Sequence, residues 1–112
     1  MPMTKETILS ELQRAIPHFR VNPEWLEDGL GYPAINDFAR FICSEADTLG
    51  WDEVDASMAF LERALSDGDS YVRDLVLECV ETIDSCESIN LLKDHFGTGV
   101  RALWEHRFAG RG

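Results

Sequence analysis

The chain has 112 residues and a formal net charge of −11, with 21 acidic against 10 basic residues. A chain of this length forms one domain that buries enough core to fold without a disulfide or a metal. Its hydrophobic content of 45%, which includes eleven aromatic residues, excludes a disordered acidic tail, and its charge disfavours direct binding to nucleic acid or to an anionic membrane.

The cellular compartment is predicted from the start of the chain and from the cysteines. The opening MPMTKETILSEL lacks a signal-peptide pattern, and no apolar stretch is long enough to span a bilayer. The three cysteines, Cys43, Cys79 and Cys86, are an odd number, which favours reduced thiols. We therefore expect a cytoplasmic protein.

Apolar residues recur at helical spacing from the beginning of the chain, and no alternating β pattern competes with them. A first helix is predicted from about Thr4 to the break at Pro17. In the loop-rich section that follows, Asn22 as N-cap and Pro23 as first helical residue predict a short helix. The residues expected to end this helix are Gly29, Gly31 and Pro33.

Longer helical segments make up the remainder of the chain. They are predicted at about residues 35–49, 52–66, 70–84, 89–96 and 100–108. Gly50 is expected to follow the first of them as the C′ residue, and Asp52 to cap the second. Gly68 ends the second helix, and Asp69 or Ser70 starts the third.

The fold class follows from these segments. The starts of four helical units, near residues 35, 52, 70 and 88, are spaced about 17 or 18 residues apart, which is typical of helical hairpins. We predict an all-α single domain of about five to seven helices stacked as helical hairpins, either HEAT-like or an irregular bundle. Residues 1–34 form an N-terminal helix with a loop-rich section, and residues 35–108 form the core helices.

The excess negative charge lies in residues 44–87, here called the acidic segment, which hold thirteen acidic and two basic residues. Like charges on one surface destabilise the folded state, and a cationic partner would relieve that repulsion and bind faster. The same acids could equally form a solvated helix face.

Helical spacing places Asp74, Glu78 and Glu81, here called the acidic stripe, on one outward face. Tyr71 and Leu77 lie on its flanks as apolar contact groups, although Leu77 could also pack on a neighbouring helix. The further acids assigned to the binding surface are Asp55, Glu62, Asp67 and Asp69.

No pattern of an enzyme or a metal site is present in the sequence. There is no Glu-x-x-His pair, no complete calcium loop and no close pair of zinc ligands. Neither a Gly-x-Ser-x-Gly motif nor a phosphate-binding glycine loop occurs. We expect no catalytic activity, no metal and no cofactor.

Two segments, Ser57 to Asp69 and His95 to Trp104, resemble a family of small acidic bacterial proteins without an assigned activity, whose members are similar to the helical immunity proteins of polymorphic or contact-dependent toxin systems. The resemblance implies a binding protein that neutralises a toxin domain. We expect a monomer rather than an oligomer. Many such toxins are nucleases with cationic active sites. The alternative is a small regulatory or scaffold domain that binds a peptide or protein in a groove between helices.

Overall fold

Helices account for 75% of residues 2–108, the part of the chain that the computed structural model describes. They are α1 (Ile8–Ala15), α2 (Pro23–Asp28), α3 (Gly31–Asp47), α4 (Trp51–Asp67), α5 (Ser70–Asp84), α6 (Ile89–Leu92) and α7 (Thr98–Arg107), with a 3-10 turn at Lys93–His95. No strand forms within residues 2–108. The structure confirms the predicted all-α single domain.

The centre of the fold is α3, which packs against α1, α2, α4, α5 and α6. Its inward side chains include Phe38 and Ile42, both fully buried. α3 and α4 form one hairpin and α4 and α5 a second, so α3 and α5 lie side by side and run in the same direction. A hydrogen bond of 2.9 Å from the Thr82 hydroxyl, in the last turn of α5, to the Asn36 side chain, in the second turn of α3, links the two helices. The regular pattern of hairpins ends after α5, because the short α6 and the 3-10 turn replace a long helix, so the fold is an irregular bundle.

α3 begins at Gly31, four residues earlier than predicted, so the helix crosses the predicted boundary between residues 34 and 35. Pro33 does not stop it, because the first N–H groups of a helix have no partner within the helix and proline is tolerated there. Gly31 is needed at this point, since a Cβ on it would lie 2.4 Å from the Tyr71 hydroxyl.

The connection between α3 and α4 also differs from the prediction. The left-handed residue is Leu49, with φ of 62°, and Gly50 has an ordinary backbone conformation. The Gly50 N–H donates to the Glu45 carbonyl at 2.7 Å, which closes the helix end with a Schellman-type bond. Leu49, the last residue of the helix predicted over residues 35–49, lies beyond the end of α3 and is 69% exposed. α4 starts one residue before Asp52, which lies in its first turn and is not the cap.

The start of α5 confirms the prediction for Asp69, whose side chain accepts a hydrogen bond of 3.0 Å from the Val72 N–H. Gly68 is required before it, because a Cβ would lie 2.3 Å from the Ala64 carbonyl oxygen. Met3 forms an isolated parallel bridge with Gly68 and is itself buried. The N-terminal segment is thereby fixed to the α4–α5 turn.

The N-terminus of α7 is held by Glu62 of α4. The Glu62 carboxylate accepts hydrogen bonds from the backbone N–H groups of Gly99 at 2.9 Å and Val100 at 2.6 Å. Gly97 and Gly99 allow this approach, since a Cβ on Gly97 would lie 2.5 Å from the Glu62 Cγ and one on Gly99 3.0 Å from its Oε1. The predicted turn is confirmed, and the structure adds that a carboxylate from another helix caps the helix that follows.

The three thiols differ in burial. Cys79 is fully buried in the core, and burial raises the pKa of its thiol. Cys43 and Cys86 are half-buried neighbours, and burial, followed by a hydrogen bond to Cys86, raises the pKa of Cys43. Cys86 belongs to the break between α5 and α6, a position that suggests free exposure. It is instead half-buried against Cys43 of α3.

The Glu62 cap generates a first prediction. Replacing Glu62 by Ala removes the acceptor for two N–H groups at a helix N-terminus, which should lower the free energy of unfolding by about 1–2 kcal/mol. In a domain of this size the melting temperature should fall by roughly 4–8 °C per kcal/mol. The melting temperature is measured by thermal unfolding, with circular dichroism as the signal. Glu81→Ala is the matched control and should shift stability by about 0.5 kcal/mol or less, as an exposed mid-helix position. Equal melting curves for Glu62→Ala and wild type would contradict the capping role.

A second prediction concerns thiol reactivity. With an aromatic disulfide reagent, Cys86 should react in the native state, while Cys79 should react only as fast as the domain unfolds, because a buried thiol is neither accessible nor ionised. Mass spectrometry of the labelled peptides assigns each rate, and Cys86→Ser should remove the fastest phase. Labelling of Cys79 as fast as Cys86 under native conditions would show that the α5 core face is not closed.

Candidate partner-binding surface

α5 carries the acidic stripe on its outer side, because its inner side is filled by the core. The buried residues of α5 are Val72, Leu75, Val76, Cys79, Val80 and Ile83. Asp74 and Glu81 are exposed and Glu78 is half-buried. Within residues 2–108 no ion pair connects any of these three carboxylates to a base. None of the three charges is therefore neutralised by an ion pair within the described residues.

The two predicted flanking residues are both half-buried and pack against the core. Tyr71 lies on the side of α5 that faces α3, where its ring meets the ring of Tyr32 edge-on at 6.0 Å between centroids. The Lys5 ammonium lies 5.6 Å from the centroid of the Tyr71 ring. Leu77 packs partly into the core, as the alternative interpretation from the sequence allowed. Each presents only part of its surface to a partner.

Tyr32 lies beside the acidic stripe, and the sequence did not identify it as a candidate binding residue. It lies in the first turn of α3 and is 42% exposed. Partial burial raises the pKa of Tyr32, and the nearby charges of Asp74 and Glu78 raise it further. The phenol stays protonated at neutral pH and can donate a hydrogen bond to a partner. Its ring contact with Tyr71 brings Tyr32 to the flank of the acidic stripe. Pro33 concealed the start of α3 at Gly31, so the sequence did not assign Tyr32 to a helix.

Three of the other four predicted acids interact within the chain. Asp55 contacts the His95 ring, with 2.8 Å between Oδ1 and Nδ1. Glu62 caps α7 and Asp69 caps α5. Asp67 is exposed at the end of α4 and lies close to the start of α5. The structure therefore keeps the acidic stripe together and leaves Asp55 and Glu62 facing the segment from α6 to α7.

The described residues contain no arrangement typical of a metal site or a membrane span. In residues 2–108 no group of three or more His, Cys, Asp or Glu side chains is placed to hold a metal ion. None of the described helices is long and apolar enough to cross a bilayer.

A shallow groove of about 600 Å³ lies between α1 and α2. It shares no residue with the acidic stripe. Its lining residues are Gln13, Pro17, Arg20, Val21, Pro23 and Leu26. The lining contains one base and no acid. Its charge is thus opposite in sign to that of the surface on α5.

Comparison with known proteins places the chain in a family. A family profile described as a domain of unknown function, DUF7674, matches residues 7–110, which is nearly the whole chain. No curated protein and no solved structure matches with significance. The chain belongs to the DUF7674 family of domains of unknown function.

Proposed function

We propose that this protein is a non-catalytic binding protein that neutralises a basic partner through the acidic stripe on α5. The observation that supports this function is the combination of three carboxylates that form no ion pair within residues 2–108 with two adjacent aromatic rings, Tyr32 and Tyr71. Interfaces typically combine partly exposed aromatic groups with a charged rim.

The energetics favour a cationic partner. The carboxylates of Asp74, Glu78 and Glu81 follow one another at i, i+4 and i+7, so neighbouring charges on the stripe repel, and like-charge pairs at this spacing cost roughly 0.2–0.5 kcal/mol each. Lysine or arginine side chains of a partner would remove that cost on binding and would accelerate the encounter. Tyr32 and Tyr71 supply apolar area and hydroxyl groups beside the charges.

The most specific form of this proposal is an immunity protein that covers a nuclease-type toxin domain. The resemblance of residues 57–69 and 95–104 to immunity proteins supports it, and a nuclease must present a cationic site to hold a phosphate backbone. An acidic helix face can occupy such a site in place of the nucleic acid. The protein would act in the cytoplasm, as a monomer, and without a cofactor.

The groove between α1 and α2 favours a second candidate, a scaffold domain that binds a peptide. It is open, partly apolar and lined by residues of both helices, with Arg20 as its charged group. This groove suits an acidic or apolar peptide, whereas the acidic stripe suits a basic protein. The two candidates therefore differ in the charge of the ligand.

A third prediction tests the acidic stripe. The variant Asp74→Lys, Glu78→Lys, Glu81→Lys should keep its helical circular dichroism spectrum, and its melting temperature should stay unchanged or rise slightly, because repulsion is relieved. Its affinity for a basic toxin domain should fall by several orders of magnitude, since each broken charge pair at an interface centre costs roughly 2–5 kcal/mol. Titration calorimetry at low and at physiological salt measures the loss, with the basic protein that co-purifies from the native host as the ligand.

The matched control carries the same change in charge outside α5, at Glu6, Glu27 and Glu105, all of which are exposed. This control should weaken binding only through the long-range field, an effect that salt screens within about 8 Å at physiological ionic strength. If both variants lose affinity equally, net charge rather than the acidic stripe determines binding. An unchanged affinity of the stripe variant would exclude the stripe as the interface.

A further inference from the structure

The two most exposed large hydrophobic side chains in residues 2–108 are those of Leu49, 69% exposed, and Leu91, 53% exposed. Leu49 lies in the α3–α4 connection, and Leu91 lies on α6. Neither belongs to the acidic stripe. Much of the apolar surface of both side chains is therefore in contact with water and contributes no hydrophobic stabilisation to the folded domain.

Leu49 is unusual in its backbone as well as in its exposure. Its φ of 62° is in the left-handed region, which glycine and asparagine adopt readily and which destabilises other L-residues. The bonds from Gly50 to Glu45 and from Leu49 to the Ala46 carbonyl, at 2.7 and 3.2 Å, fix this geometry at the end of α3. A leucine here therefore weakens the free domain twice, through the backbone and through its exposed side chain.

Two contacts bring the Leu49 and Leu91 segments together. The Ser88 hydroxyl bonds to the Asp47 carboxylate, and the Trp51 ring stacks on the His95 ring with 4.4 Å between centroids and 3° between planes. Leu49 is between Asp47 and Trp51 in the chain. Leu91 is likewise between Ser88 and His95. The two contacts therefore flank each leucine in the sequence and hold the two segments against each other.

Negative charge surrounds these two leucines. The exposed acids within the same two segments are Asp47, Asp52, Asp55, Glu87 and Asp94. The bases there are Lys93, which is half-buried, and His95, whose ring is occupied by Asp55 and Trp51. We name residues 47–55 and 87–95 the Leu49 corner. It combines two exposed leucine side chains with five exposed carboxylates.

We propose that the Leu49 corner is a second docking surface, and that its occupant is a protein surface with cationic groups around an apolar pocket. Leucine side chains supply the apolar contact, and the five exposed carboxylates of the two segments select the charge of the partner. The same carboxylates oppose a second copy of this chain and an anionic membrane, because both would bring like charges together. Binding would bury the Leu49 side chain, which is exposed in the free domain, and would thereby add hydrophobic stabilisation to the complex.

This surface is separate from the acidic stripe, so the inference goes beyond the proposed function. α3 has 17 residues, so its two ends are about 25 Å apart. Tyr32 and Tyr71 lie at its N-terminal end, and the Leu49 corner lies at its C-terminal end. A partner that contacts only one end leaves the other free.

The test uses a synthetic amphipathic helix of leucine and lysine as the probe, with a peptide of equal length and charge in which serine replaces leucine as its control. Nuclear magnetic resonance should show that the leucine–lysine peptide shifts the signals of Leu49, Leu91 and the Trp51 indole. Its Kd should rise about tenfold or more in Leu49→Ala, Leu91→Ala, since buried leucine anchors dominate such contacts. The matched variant Leu30→Ala, at an exposed leucine outside both the Leu49 corner and the groove between α1 and α2, should bind as the wild type does.

Leu49→Gly separates binding from stability. Glycine favours the left-handed conformation, so this variant should melt at a higher temperature than wild type and yet bind the leucine–lysine peptide more weakly. Weaker binding by a more stable domain cannot result from unfolding. Equal affinity of wild type and Leu49→Gly would overturn the proposal.

Other results would also overturn it. These are equal binding of the serine–lysine peptide, signal shifts confined to other surfaces, a wild-type dimer in sedimentation that Leu49→Ala dissociates, or adsorption to phosphatidylserine vesicles that Leu49→Ala abolishes. The triple lysine variant of the acidic stripe should keep the peptide shifts at the Leu49 corner. Failure of this proposal is therefore distinguishable from failure of the proposed function.

Discussion

The burial of α3 alongside α5 is the interaction on which the rest of the structure depends. α3 touches five other helices, and its inward face is fully buried. Because α3 and α5 run in the same direction, the start of α3 lies beside the start of α5 and its end lies beside α6. This packing joins Tyr32 to Tyr71 at one end and Asp47 to Ser88 at the other. Both candidate surfaces therefore result from one helix–helix contact.

The carboxylates of the acidic segment divide into two groups by what their oxygens contact. Glu62 and Asp69 accept backbone N–H groups at helix starts, where a negative charge also complements the helix dipole. Asp74, Glu78 and Glu81 lie in the middle of an exposed helix face, where no backbone donor is free. The first group stabilises the fold. The second group accepts no such bond, so position on the helix, and not acidity alone, separates the capping acids from those that we propose to bind a partner.

The proposed function requires the domain to keep surfaces that weaken it in isolation. Repulsion along the acidic stripe and the exposed Leu49 in a left-handed conformation both reduce the stability of the free chain. The compact α3–α4–α5 core and the Glu62 cap supply stability elsewhere. A partner that covers either surface would relieve the charge repulsion or bury the exposed leucine. This gain in free energy is a physical basis for tight binding without catalysis.

The sequence by itself determined the helical class, six of the seven helices to within a few residues, the Asp69 cap and the buried face of α5, because these depend on spacing and on local capping chemistry. It did not determine the start of α3, because Pro33 predicts a helix end. The helix starts at Gly31, where it packs closely on Tyr71 of α5, and this contact is known only from the tertiary structure. Nor could the sequence show that Glu62 caps α7 or that Leu49 is left-handed and exposed. Those features depend on contacts between residues far apart in the chain, which only the tertiary structure brings together.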